Sequence, residues 1–305
     1  MLFANVPPSE SGDSVSNFKS SAVMVMAITL SAVAHAGALR CENLFDHSAQ
    51  PIMVNHHEDL LSRSAQEGRQ MSVQEINHRN ADMYISLMNY RPPKNASHAR
   101  SITMNEAQMV LDAIRNNEVT GSYGVYDQPD VSIGYCFGRA SFAHLLLLKM
   151  GVQKESIFKM WAVGPMKVHD NDSLTWQFHV TPVVFTRDMG WVVMDTNERV
   201  PQRIGDWIAK YHAQSTDKKM RFYLSDASKF GVNMSKYTRL QMGLDLERNN
   251  DWYKGYFQDM LLQLRTKSLS ELRVRAIPPE GRYDYDSFLG QKPGWILRFR
   301  RFFGL

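Results

Sequence analysis

The segment from Cys136 to Asp195 constrains the fold more than any other. It opens with "CFGRASFAHLLLLKMG", an apolar helical stretch stopped by Gly151. Three runs follow, "SIFKMWAVG", "LTWQFHVTPVVF" and "GWVVMDT", each rich in β-branched and aromatic residues and each reading as a strand. One helix followed by three strands specifies an α+β core. The last two strands are joined by "TRDMG", a short turn containing Gly190, which makes them antiparallel neighbours. The core is expected over residues 101–200, with helical additions on both sides.

Residues 37–100 read as a helical N-terminal segment, either a pro-region or an accessory one. Its clearest mark is the capping box "SVQE" from Ser72 to Glu75, and a second box, "TMNE" from Thr103 to Glu106, opens the next helix. Between them "NYRPPKNASHA" is a polar, proline-rich linker. Residues 201–305 are expected to be mostly helical and to pack on the core. "DWIAKYHA" and "DWYKGYFQDMLLQLRTKSLSEL" are the helical stretches there, and "MRFYLSD" is an isolated strand candidate.

The first 36 residues read as a secretory signal peptide. Lys19 precedes an apolar run from Ala22, and Ala34 and Ala36 stand at the spacing of a cleavage site. The run is shorter than the roughly 20 apolar residues a bilayer-spanning helix needs. A secreted or periplasmic protein is therefore expected. At 305 residues and 44% hydrophobic the chain can bury a core without covalent staples. A formal net charge of +4 gives no field suited to nucleic acid. The tail "GWILRFRRFFGL", with Arg298, Arg300 and Arg301 among aromatic rings, is expected to dock on the core rather than on an anionic membrane.

The two cysteines are Cys41 and Cys136. They could form one structural disulfide, but no Cys-x-x-Cys or clustered Cys/His spacing suggests a metal, and no cofactor is expected. Cys136 stands where its helix begins. A thiol with a free pKa of about 8.5 is mostly protonated at neutral pH, and both a helix N-terminus and a histidine partner favour the thiolate. Gly134 suits a sharp turn into the helix, and the Cys136 N–H is placed to face an oxyanion. His179 in "WQFHVTPVV" and Asp195 at the end of "WVVMD" lie on the two strands joined by the short turn, so they can meet on one face. Cys136, His179 and Asp195 then supply nucleophile, base and orienting acid.

In this order, over a helix and two strands, the three residues resemble the transglutaminase and papain-like superfamily. More narrowly they resemble the bacterial protein glutaminases, secreted enzymes that deamidate glutamine side chains in proteins. Arg139 and Ala140 after Cys136 match that pattern, as do Trp176, Phe178 and Val180 around His179 and the strand from Trp191 to Asp195. Ser141 stands where the pattern has histidine, and Thr196 where it has proline. The transglutaminase continuation after the histidine is absent, since "HVTPVV" follows, which speaks against amine transfer.

The resemblance implies a cysteine-opened helix on an antiparallel sheet, a thioester intermediate, ammonia release and a protein or peptide substrate with glutamine side chains. Arg139 would reinforce nearby negative charge or form a structural salt bridge. Gln128 and Ser132 are oxyanion candidates by position, and Trp176 a supporting residue. The resemblance also implies a pro-segment, for which residues 37 to about 100 and a Cys41–Cys136 disulfide are candidates. Two readings compete with deamidation: a cysteine peptidase or cell-wall amidase, and a non-catalytic transglutaminase-like binding module.

Overall fold

A computed structural model describes residues 50–93, 101–121, 126, 135–167, 175–235, 237–238 and 251–277. The signal segment, Cys41, Gln128, Ser132, Gly134 and the basic aromatic tail lie outside the described residues.

Helix α1 spans Leu60–Gln70, with the Asp59 carboxylate accepting from the N–H groups of Leu61 and Ser62. Helix α2 spans Val73–Asn89 and α3 spans Met104–Arg115. Each begins with a complete capping box, Ser72 with Glu75 and Thr103 with Glu106, at the two positions read from the sequence. Helix α4, Cys136–Met150, ends where Gly151 turns left-handed at φ 94, a conformation in which a Cβ would be strained.

Strands β1 (Ile157–Lys167), β2 (Thr175–Thr186) and β3 (Gly190–Val193) follow. Then come the short β4 (Gln202–Arg203), helix α5 (Ile204–Gln214), β5 (Arg221–Asp226) and helix α6 (Asp251–Thr266). The five strands form one sheet in the order β4-β3-β2-β1-β5, and each pairing is antiparallel. The expected β2–β3 hairpin is present, with Val183 opposite Val193. The "MRFYLSD" strand is not isolated: β5 pairs along β1, Phe158 opposite Asp226, and makes β1 interior.

With helices on either side of the sheet, β1 is buried on both faces, and its alternate residues feed two cores. Ile157, Trp161 and Val163 join Val180 and Val184 against Phe142, Leu145 and Leu146 of α4. Phe158, Met160 and Ala162 join Val183, Trp191 and Val193 against Met83 and Leu87 of α2 and Trp207 and Tyr211 of α5. Helix α4 thus covers one face, and α2 and α5 cover the other. Each fully buried Leu or Val contributes about 1.5–3 kcal/mol, so truncating Leu146 to Ala would cost about 2–5 kcal/mol. Helix α2, from the segment 37–100, shares its core with the sheet.

Candidate active site

Cys136 is the first residue of α4 and carries a buried free thiol. Tyr135 precedes it without a side-chain cap, and Arg139 N–H, donating to the Tyr135 carbonyl at 2.8 Å, closes the first turn. The sulfur therefore sits at the positive end of a 15-residue helix. Tyr256 of α6 packs over that turn so closely that a Cβ on Gly138 would lie 2.5 Å from its ring. Glycine at 138 is what lets the ring approach.

His179 lies on β2 opposite Ala162 of β1. The β2–β3 ladder places Val183 opposite Val193, so Asp195, two residues further, comes level with Thr181 and diagonal to His179 on the same face. The two side chains meet, His179 Nε2 standing 2.9 Å from Asp195 Oδ2. His179 is 2% exposed and Asp195 1%.

Asp195 has three more partners. Trp207 Nε1 donates to Oδ2 at 2.7 Å, the Tyr211 hydroxyl donates to Oδ2 at 2.9 Å, and the Asn197 N–H donates to Oδ1 at 2.9 Å. The turn Asp195–Glu198 is held from outside by Arg115, whose Nη1 donates to the carbonyls of Thr196 and Glu198, each at 2.6 Å. Burial opposes charge on Asp195, but His179 and these donors outweigh it and keep its carboxyl well below the ordinary range.

Burial likewise opposes the imidazolium. The Asp195 carboxylate reverses that, the Cys136 thiol adds to it, and the His179 pKa is raised to about 9. Nδ1, the nitrogen not used by Asp195, makes no formed hydrogen bond. The nearby Cys136 side chain favours a proton on the ring. Aromatic rings enclose the imidazole: Tyr211 stacks at 4.9 Å and 16°, Trp176 at 5.7 Å and 29°. A thiol at a helix start, beside an imidazole whose charged form is favoured by a buried carboxylate, is the arrangement that nucleophile-and-base chemistry requires.

The structure thus brings Cys136, His179, Asp195 and Trp176 to one place. Arg139 lies one turn into α4, its Nε donating to the Thr120 carbonyl at 2.9 Å, which ties α4 to the segment after α3. Ser141 Oγ donates to the Phe137 carbonyl inside α4. Trp207, Tyr211 and Asn197 escape the sequence reading, where "DWIAKYHA" marks only a helix. The available signal was Trp and Tyr four residues apart, on one helix face, soon after the candidate acid. Among the described residues no cluster of His, Cys, Asp and Glu could hold a metal ion, and no helix is long and apolar enough to cross a membrane.

No family model matches the chain, and no curated protein matches it. Among solved structures it is similar to the protein-glutaminase from Chryseobacterium proteolyticum determined by NMR, at 14% identity and a TM-score of 0.35, over 47% of this chain and 83% of that one. It is also similar to a crystal structure of pro-protein-glutaminase, at 14% identity and a TM-score of 0.37, over 54% of this chain and 60% of that one. With a crystal structure of protein-glutaminase the figures are 13% and 0.35, over 62% of this chain and 98% of that one.

Proposed function

We propose that this protein is a cysteine hydrolase that deamidates glutamine side chains in proteins. One observation carries the reading: the buried His179–Asp195 pair, 2.9 Å apart, holds a proton on an imidazole beside the thiol that opens α4. The Cys136 thiolate attacks the carboxamide carbon. The C–S bond forms, the C–N bond breaks, and His179 gives its proton to the departing ammonia. His179, now neutral, takes a proton from water as it attacks the thioester. The C–S bond breaks, leaving glutamate and the thiolate–imidazolium pair. Amide and water are consumed, and carboxylic acid and ammonia are produced. The N–H groups of the first turn of α4 supply the positive field toward which an oxyanion would be drawn.

On this reading α1 and α2 belong to the catalytic unit rather than to a removable cover, a view supported by the burial of Leu60, Ile76, Met83 and Leu87. Export by the N-terminal segment would bring the enzyme to extracellular or envelope proteins.

The test is incubation of the full chain, and of its Cys136→Ala variant, with casein, following ammonia and intact substrate mass together. Ammonia release with the mass gain of amide-to-acid conversion, absent in the variant, is the expected result. Chain fragments without ammonia would replace deamidation by peptide hydrolysis. Neither product would leave a binding module.

A further inference from the structure

Trp207 and Tyr211 stand one helical turn apart on α5, so both side chains leave the same face. Both end on a single atom. Asp195 Oδ2 accepts from Trp207 Nε1 at 2.7 Å and from the Tyr211 hydroxyl at 2.9 Å, beside the 2.9 Å contact with His179 Nε2. The Tyr211 oxygen in turn accepts from Asn197 Nδ2 at 3.3 Å, which orients its own proton toward Asp195. Its ring lies nearly parallel to the imidazole, 4.9 Å away. Tyr211 therefore touches both the acid and the base. Asp195, His179, Trp207 and Tyr211 are buried, where each bond to a charged acceptor is stronger and more directional than at a surface.

We propose that Trp207 and Tyr211 are positioning residues of the reaction, pinning Asp195 as an acceptor-only carboxylate and holding the His179 ring so that Nδ1 is left for Cys136. The inference rests on the assignment of Cys136 and His179 as nucleophile and base. Two donors on Oδ2 also share its negative charge, which tempers its pull on the imidazolium. Removing either donor should therefore tighten the hold on the imidazolium proton while loosening the geometry. Among the described residues the ionisable groups facing His179 are Asp195 beyond β3, Cys136 at the start of α4 and Tyr211 on α5; Trp176 and Trp207 are neutral rings.

The experiment follows alkylation of Cys136 by iodoacetate against pH in the full chain, resolved from Cys41 by peptide mass spectrometry. The anionic reagent is drawn by the imidazolium, so the rate falls as His179 loses its proton, and no substrate is needed. Tyr211→Phe keeps the ring and loses the hydroxyl, and Trp207→Phe loses the indole N–H. Each should raise the alkaline limb by a few tenths of a pH unit and lower the maximal rate by about three- to tenfold. Tyr211→Leu, which also removes the ring, should lower it further.

Profiles of both Phe variants that superimpose on the wild type overturn the proposal. So does a lowered melting temperature with the alkaline limb unmoved, which would mark a purely structural role. Wild-type Cys136 reacting no faster near neutral pH than an ordinary thiol overturns the catalytic assignment and this inference with it. Normal alkylation without ammonia release overturns deamidation alone.

Discussion

His144 on α4 and His179 on β2 are buried alike, at 3% and 2% exposure, and burial pushes both pKa values down. They nonetheless end on opposite sides of neutrality. His144 Nδ1 has the Tyr237 hydroxyl 3.2 Å away, Lys159 adds to the effect of burial, and the pKa falls to about 3. His179 has the Asp195 carboxylate, and its pKa rises to about 9. Burial alone makes a histidine a neutral core residue, and a hydrogen-bonded carboxylate turns the same burial into a proton store.

The surroundings differ in the same way. Beneath α4, Lys159 Nζ donates to Ser141 Oγ at 3.2 Å, the Lys229 carbonyl at 2.7 Å and the Tyr237 hydroxyl at 3.0 Å. Burial drives its pKa well down, and Asp226 only partly offsets this. That network satisfies polar groups. The one around Asp195 keeps two charges.

The sharpest way to break the contrast is Asp195→Asn, which keeps shape and removes charge. His179 should then fall below its ordinary value, as His144 does. Ammonia release should drop by about 10³–10⁴-fold, as loss of an orienting carboxylate does in other triads, and Cys136 alkylation should fall toward the rate of an ordinary thiol. NMR titration of His179 beside the rate assay checks both, and a ring still charged at neutral pH would refute the account. Next in size is Lys159→Ala, which leaves a cavity and strips a donor from the Lys229 carbonyl and Tyr237 hydroxyl. It should cost about 2–5 kcal/mol in urea unfolding, and Lys159→Met, which keeps the volume, clearly less.

The two histidines should also tilt stability in opposite directions with pH. With a folded pKa of about 3 against an ordinary 6.5, His144 binds more protons unfolded than folded between those values. Its contribution is complete above 6.5 and is lost as pH falls toward 3. His179, at about 9 against 6.5, binds more protons folded. Its contribution is complete below 6.5 and is lost as pH rises through 9. Each slope is at most about 1.4 kcal/mol per pH unit. Urea unfolding across pH, taken as wild type minus variant, should show His144→Asn losing the acid-side slope and His179→Asn the alkaline one. The same slope lost in both would erase the distinction.

Sequence carried the local parts of this arrangement further than the assembled ones. The capping boxes at Ser72 and Thr103, the Gly151 stop and the β2–β3 hairpin each depend on residues a few positions apart, and each is where pattern placed it. The adjacency of His179 and Asp195 follows from that same short turn. What pattern could not supply was pairing at a distance. Nothing within "MRFYLSD" names β1 as its neighbour, and the apolar side of α2 does not say which face of the sheet it covers. Trp207 and Tyr211 read as ordinary core aromatics until α5 is seen against Asp195. Nothing inside "SIFKMWAVG" marks Lys159 as buried, because its cover comes from α4 and its partners from Ser141, Lys229 and Tyr237. Gln128 and Ser132 lie outside the described residues.

Ser141→Ala is the smallest perturbation and the most discriminating for the separateness of the two networks. Ser141 sits five residues from Cys136 on the same helix and also takes one of the three Lys159 bonds. If the network under α4 only satisfies polar groups, the substitution removes one neutral acceptor, and Lys159 keeps the Lys229 carbonyl and the Tyr237 hydroxyl. Stability should then fall by about 0.5–1.5 kcal/mol in urea, with kcat/KM for ammonia release within about twofold of wild type. A rate loss of about tenfold or more at near-normal stability would mean that Lys159 acts on the Cys136 end of α4 through Ser141. The two buried networks would then be one electrostatic unit, and the serine in the place of the expected histidine would belong to the reaction.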